Sequence, residues 1–245
     1  MMGEIPLSEL ARRCATEFST KELCRLTDAQ HQEYLRLLSA LKTLNASHAS
    51  DTKKGAILEE LVSYLLKISG NIFNVYRNIH TKTNEIDQFI TLNDTGKLLA
   101  GLKMLPCRFE SFLGECKNYR NKSDVTHIGK FYSLLMSTSI KTGILFTYHG
   151  VTGSGWNDGT GLIKKMYLQR ELDDNRVAII VFSIQDYERI AAGENFIDLF
   201  NRKLLDLRLD TSIDTYISPH EAELQLNQLS LSDQPVSYTH LRAHE

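Results

Sequence analysis

The sequence predicts an α/β fold, with helices packed around a mixed sheet. Three observations carry that reading. An amphipathic helix pattern over residues 55–68 is followed by three strand-like runs before the next helix. Two later apolar runs, at 142–148 and 177–182, are short and nearly continuous, as in strands buried on both faces. Helical spacing returns between and after them.

The elements follow in order. Leu7, Leu10, Ala11, Cys14 and Phe18 recur at helical spacing, and Tyr34, Leu37, Leu38 and Leu41 repeat it. Ser19 or Thr20, with Glu22 nearby, marks a start between them. Residues 1–52 therefore read as an N-terminal helical extension. Residues 45–54 are small and polar and read as a linker. From Gly55 the pattern strengthens: Ile57, Leu58, Leu61, Val62, Leu65, Leu66 and Ile68 form one apolar face, which stops at Ser69-Gly70-Asn71. Strands are expected at 72–79 and 85–92, the second ending at Asn93-Asp94-Thr95-Gly96. The apolar stretch 98–104 fits no single type. A third strand covers 109–117, and a helix with Ile128, Phe131, Leu134, Leu135 and Met136 covers 125–137. After the strand at 142–148 comes a glycine-rich loop at 149–161, a helix at 162–172, the strand at 177–182, and helices at 186–192 and 194–206. One main domain is thus expected over 53–206. Residues 207–245 read as a tail. Its end, from Pro235 onward, resembles translated sequencing-adapter DNA, and no function is placed there.

A chain of 245 residues suits one core with appendages. A formal net charge of -2 excludes a global field that attracts nucleic acid, and leaves room only for a local basic groove. Cys14, Cys24, Cys107 and Cys116 form no Cys-x-x-Cys pair, so reduced thiols are expected rather than a zinc site. The start lacks a basic segment followed by an apolar one, and no apolar run approaches the roughly 20 residues that span a bilayer. A cytoplasmic protein is expected.

Three short charged signals concentrate between residues 55 and 117. Asp87 ends Asn84-Glu85-Ile86-Asp87 on the second strand. Glu115 and Lys117 frame Cys116 on the third. Neighbouring strands lie about 4.8 Å apart, so carboxylates on two of them can share a cation. Magnesium takes hard oxygen ligands, keeps several waters, and polarises phosphoryl oxygens. Lys117 is two residues from Glu115 and shares its side of the strand, while Cys116 faces the opposite layer. Glu-x-Lys alone is a weak signal, because solvent-facing strands carry it as a simple charge pair. Its position after Glu-Ile-Asp makes the joint pattern more specific.

Glu59 borders the helix face that carries Val62 and Leu66, whereas Glu60 points toward solvent. Glu59 is a candidate accessory or metal-binding acid; its bland reading is a helix-start charge favoured by the dipole. Glu85 is either an extra ligand or a rim charge. Tyr119, Arg120 and Lys122 follow the third strand and are candidate phosphate contacts. Arg77, His80 and Lys82 are candidates for the opposite rim. Plain solvated loops explain both clusters equally well. The run after His149 lacks the lysine and serine or threonine of a P-loop and reads as an ordinary surface loop or one that touches DNA.

Gly55-x-x-Leu58-Glu59, Glu85-Ile86-Asp87 and Glu115-Cys116-Lys117-Asn118-Tyr119 together resemble the PD-(D/E)xK nuclease superfamily, in its Mrr-like restriction endonuclease branch. The likeness covers roughly residues 53–150. It implies a restriction-endonuclease-like α-β-β-β-α-β core. Asp87 and Glu115 would be metal ligands, Lys117 the charge stabiliser and Glu59 the helix acid. Ile86 stands where the superfamily's name pattern has proline, a position at which Mrr-like members vary. Lys130 and Ser133 stand where a glutamine sometimes occurs in the following helix.

The resemblance implies a magnesium-dependent DNA endonuclease, with manganese as a substitute metal, serving restriction or phage defence. Two copies acting together would ease double-strand cleavage, and the N-terminal helices would meet DNA, a partner subunit or a second copy. The alternatives are a catalytically silent nucleic-acid-binding module, an RNA or repair nuclease with the same chemistry, and a structural α/β protein in which these residues do not converge.

Overall fold

Thr27 and Gln30 start the first long helix with a reciprocal cap. The Thr27 hydroxyl accepts the Gln30 N–H, and the Gln30 side chain accepts the Thr27 N–H. This computed structural model describes residues 20–80, 85–106, 108–153, 157–169 and 176–209. The expected helix over Leu7 to Phe18, Lys82, Cys107 and the tail from Asp210 lie outside the described residues, as do the side chains of His80 and Glu85.

A single turn, α1 (Thr20–Leu23), precedes α2 (Asp28–Ala46) and α3 (Asp51–Ile68). The helix α3 begins inside the segment that the sequence suggests is linker, so only residues 47–50 connect it to α2. The reason is local. Asp51, Thr52 and Lys53 are exposed and give no apolar signal, yet an aspartate in the first turn favours a helix start. The boundary expected at 52–53 falls in that first turn. Tyr34, Leu37, Leu38 and Leu41 of α2 are buried in the same core as the apolar face of α3.

Next come β1 (Phe73–His80), β2 (Glu85–Leu92) and a helix, α4 (Asp94–Gly101), that the sequence pattern leaves unassigned. Asn93 starts α4 by accepting the Gly96 N–H, so the apparent strand-ending turn is a helix cap. Glycine is required at 96: a Cβ there would lie 2.5 Å from the Ile72 carbonyl oxygen. The chain continues through β3 (Ser111–Lys117), α5 (Val125–Thr138), β4 (Thr142–Thr147), α6 (Gly159–Leu168), β5 (Ala178–Phe182), α7 (Ile184–Ala191) and α8 (Phe196–Leu209).

The five strands form one sheet in the order β1-β2-β3-β4-β5. The first three are antiparallel, and β3, β4 and β5 are parallel. This is a mixed α/β fold with a central mixed sheet flanked by helices. One face carries α3, whose Glu59 reaches Arg77 of β1. The other carries α5: a Cβ on Gly143 of β4 would lie 2.7 Å from Phe131 and Leu135. The parallel half explains the continuous apolar runs of β4 and β5, because both of their faces are covered. Among the described residues no helix is long and apolar enough to cross a membrane.

An aromatic cluster ties the sheet to the last helix. Phe109 contacts Phe73, Phe112, Phe196 and Phe200, the last edge-on with ring centroids 4.6 Å apart. Phe109 is 1% exposed. Phe109→Ala is expected to lower unfolding free energy by about 3–5 kcal/mol, measured by denaturant titration. A loss below about 1 kcal/mol would mean that the cluster collapses around the gap.

Candidate functional site

The site forms where one ladder stops and its neighbour skips a residue. Between β2 and β3 the pairing runs from Thr91↔Ser111 to Gln88↔Gly114 and ends one residue short of Asp87. On the other side, β1 pairs at Arg77↔Gln88 and Ile79↔Ile86 but skips Asn78, which is left-handed at φ 51. Asparagine tolerates that conformation better than most side chains. Asp87 therefore sits in a local opening of the sheet. Its Oδ2 accepts the Cys116 N–H at 3.1 Å, replacing a strand–strand bond with a side-chain one.

Cross-strand neighbours share a face, and residues two apart on a strand do too. Leu113 pairs with Gly143, which faces α5, so Glu115 and Lys117 lie on that face at the carboxyl end of β3. Asp87, two residues before Phe89, which pairs with Leu113, belongs to the same face. The three side chains converge there. Lys117 Nζ is 2.7 Å from Glu115 Oε1 and 3.6 Å from Asp87 Oδ2. Side-chain exposure is 24% for Lys117, 22% for Asp87 and 16% for Glu115. Two sheltered carboxylates share one ammonium, leaving an excess of negative charge.

That imbalance sets the protonation behaviour. Burial first, and then the Asp87 carboxylate, raise Glu115 above the ordinary carboxyl range, against the opposing pull of Lys117. Burial alone would lower Lys117, but Glu115 and then Asp87 outweigh it and raise the ammonium above its usual value. Cys116 points into the opposite layer, where Gln88 Nε2 lies 3.9 Å from its sulfur. Burial, followed by the Asp87, Glu59 and Glu115 charges, pushes its thiol up, so it is not a nucleophile at neutral pH.

A carboxyl raised in the folded state contributes stability below the ordinary carboxyl range. That contribution is lost as pH rises through the raised value. At neutral pH the Glu115 charge therefore opposes folding when no metal is bound. Glu115→Gln in chelator at pH 7 is expected to leave stability unchanged or raise it by about 1 kcal/mol, in the manner of a site that trades stability for function. A loss of more than about 2 kcal/mol in the same denaturant titration would show that the Lys117 bond dominates instead.

Glu59 stands apart from the three. Its Oε2 pairs with Arg77 at 3.3 Å on the α3 side of the sheet, so both residues are engaged with each other. Among the described residues no group of three or more His, Cys, Asp and Glu side chains is placed to hold a metal. What the site offers magnesium is two carboxylates that already share a cation, and such an ion keeps several waters. The donor chemistry fits.

Of the candidate phosphate contacts, Tyr119 is exposed and packs on His127, with ring centroids 4.9 Å apart. Arg120 and Lys122 are exposed on the same loop. Near this end of the sheet the structure shows one residue that the sequence reading places in a linker, Lys54, and two that it names, Asn118 and His149. Lys54 is buried at 8% exposure, and Asn118 at 4% donates to the Lys54 carbonyl at 2.7 Å. His149 follows β4. Lys54 lies four residues before Leu58 and seven before Leu61 on α3, so its burial follows once the helix is extended to Asp51.

No family model matches the chain, no curated protein matches it, and no solved structure matches it.

Proposed function

We propose that the chain is a metal-dependent endonuclease that hydrolyses DNA phosphodiester bonds at Asp87, Glu115 and Lys117. The observation that carries this is the meeting of two strand carboxylates on one lysine at the carboxyl end of β3. The order of α3, β1, β2, β3, α5 and β4 also agrees with the restriction-endonuclease-like core that the sequence motifs suggest, with α4 added between β2 and β3. On this reading the protein works in the cytoplasm, in restriction or phage defence, alone or as a homodimer.

Asp87 and Glu115 would hold magnesium or manganese. A bound metal supplies Lewis-acid polarisation of the phosphoryl oxygen and lowers the pKa of bound water. The chain's own groups do the rest. Lys117 stays protonated, aligns the attacking water and meets charge growing on the phosphate. Tyr119, Arg120 and Lys122 steady the backbone beside the cut. Asp87 holds the Cys116 N–H and so fixes β3 at the point where Glu115 and Lys117 leave it.

The test is supercoiled plasmid with magnesium, with and without chelator, using the wild-type chain and Glu115→Gln. Nicked or linear DNA that disappears with chelator and with the variant supports the reading. Equal cleavage in all arms would place the activity elsewhere. Plasmid that stays intact while RNA of matched sequence is cut would overturn the choice of DNA.

A further inference from the structure

The sheet face that carries Asp87, Glu115 and Lys117 continues across β2 onto the edge strand β1. Phe89 pairs with Leu113 on one side and with Tyr76 on the other, and Thr91 pairs with Asn74. Cross-strand partners share a face, so Tyr76 and Asn74 stand on the carboxylate side of the sheet. The Tyr76 ring stacks on Phe89, with centroids 6.0 Å apart and planes inclined at 27°. Tyr76 nevertheless remains 50% exposed. Phe89 backs the ring before any ligand arrives, so little side-chain freedom is left to lose on binding.

A cleft of about 590 Å³ opens beside this ring, between the β1–β2 face and α4. Asn74, Tyr76 and Thr91 line it from the sheet, Lys97 and Ala100 from α4, and Glu110 from just before β3. That volume is in the range of small-molecule sites. Its charges disfavour an anion: Lys97 is paired with Asp94 at 3.4 Å, and Glu110 adds a carboxylate. What remains is an aromatic wall with a carboxamide and a hydroxyl beside it, which suits a neutral planar group with polar edges. Along β2 the order is Asp87, Phe89, Thr91, so Asn74 and Thr91 lie beyond Tyr76 as seen from Asp87. Tyr76 thus stands between the cleft and the carboxylates. It is the diagonal cross-strand neighbour of Asp87, a separation of about 7–8 Å.

We propose that this cleft takes a nucleobase of the substrate strand, stacked on Tyr76, with Asn74 and Thr91 hydrogen-bonding to its edge. The base extends the stack that Phe89 and Tyr76 already form. Every base has a π-face, so the stack itself carries little sequence preference. A base held there has left the stack of a duplex. The substrate class is therefore a strand with an unpaired base close to the cut, whether single-stranded, bulged or flipped. Such a strand places its base on one side of Tyr76 and its phosphate on the other, at Asp87, Glu115 and Lys117. The placement beside a scissile phosphate rests on the nuclease reading; the capacity to stack a base does not.

The experiment uses the full chain in chelator and two fluorescently labelled single strands of about ten nucleotides, one of DNA and one abasic throughout. Both carry the same phosphates, and only the first carries bases. The wild-type chain is expected to bind the base-bearing strand at least about fivefold more tightly, the lower end of what one aromatic stack contributes. Tyr76→Leu should lose that preference and Tyr76→Phe should keep it. Tyr76 is exposed, so neither variant disturbs the core. No charge is removed, so the slope of log affinity against log salt should be the same in Tyr76→Leu as in the wild type. A wild-type chain that binds neither strand, or both equally, overturns the site, as does a preference that survives in Tyr76→Leu. A wild-type dimer that Tyr76→Leu dissociates would assign the ring to a second copy of the chain instead. In magnesium, a duplex with a single-base bulge should be cut faster than its fully paired counterpart, and equal rates would overturn the placement beside the cut. Asp87→Asn should keep the preference for bases. A chain that shows the preference yet cuts no nucleic acid would sink the nuclease reading and leave the base site standing, whereas cleavage without the preference would do the reverse.

Discussion

Lys117→Met is expected to reduce DNA cleavage about 10³-fold while strengthening the response to magnesium. The two halves of that result come from one geometry. In the metal-free chain the ammonium sits 2.7 Å from Glu115 and 3.6 Å from Asp87, occupying electrostatically the place a divalent ion would take. Methionine keeps the length of the stem and removes the charge. The carboxylates then repel, the metal-free fold loses stability, and magnesium recovers more on binding. A thermal melt with and without magnesium should show a larger shift than in the wild-type chain. Single-turnover cleavage of a duplex should show the loss in rate. Arginine at 117 keeps the charge but changes its shape and reach, so Lys117→Arg should recover metal-free stability more fully than rate. A variant whose rate and magnesium shift vanish together would mark Lys117 as a scaffold for the carboxylates rather than a participant in the chemistry.

The parts of the fold legible in the sequence are those whose burial is one-sided or complete. β2 is expected at 85–92 and found at Glu85–Leu92, and the continuous apolar runs of β4 and β5 announce a parallel sheet covered on both faces. The misread segments are those where polar residues begin a helix. Residues 51–54 look like linker because three of their side chains face solvent, and only the burial of Lys54 betrays the helix. Asn93 to Gly96 looks like a turn because a cap and a turn use the same residues, and only the tight fit of Gly96 against Ile72 distinguishes them. At the site, sequence spacing suffices to bring Glu115 and Lys117 to one side of a strand, and strand pairing brings Asp87 to them. It does not foresee that Arg77 takes Glu59, because a helix-to-strand contact across a layer leaves no periodic trace. Nor does it foresee Asn78, whose left-handed backbone opens the ladder beside Asp87.

Asp87→Asn is expected to abolish cleavage, by about 10³-fold or more, while leaving the fold as stable as the wild type or slightly more so. Asp87 has two separable roles. Its Oδ2 accepts the Cys116 N–H, a structural bond made where the ladder ends. Its charge raises Glu115 and helps hold Lys117 protonated. Asparagine keeps the oxygen for the first role and loses the charge for the second. The Glu115 carboxyl, freed of a like-charged neighbour, should then titrate lower, nearer to its ordinary range, because the charge contributed by Asp87 acts upward. Stability opposed by the Glu115 charge at neutral pH should be partly recovered, by about 1 kcal/mol. Asp87→Ala removes the oxygen as well and leaves the Cys116 N–H without its acceptor, a loss of about 1–3 kcal/mol. Comparing the two variants therefore separates scaffold from charge. If asparagine preserves the fold and the magnesium-induced rise in melting temperature disappears, the carboxylate is a metal ligand. If asparagine destabilises the chain as much as alanine does, the lost rate would follow from a disordered β3 edge, and Asp87 would be a structural residue.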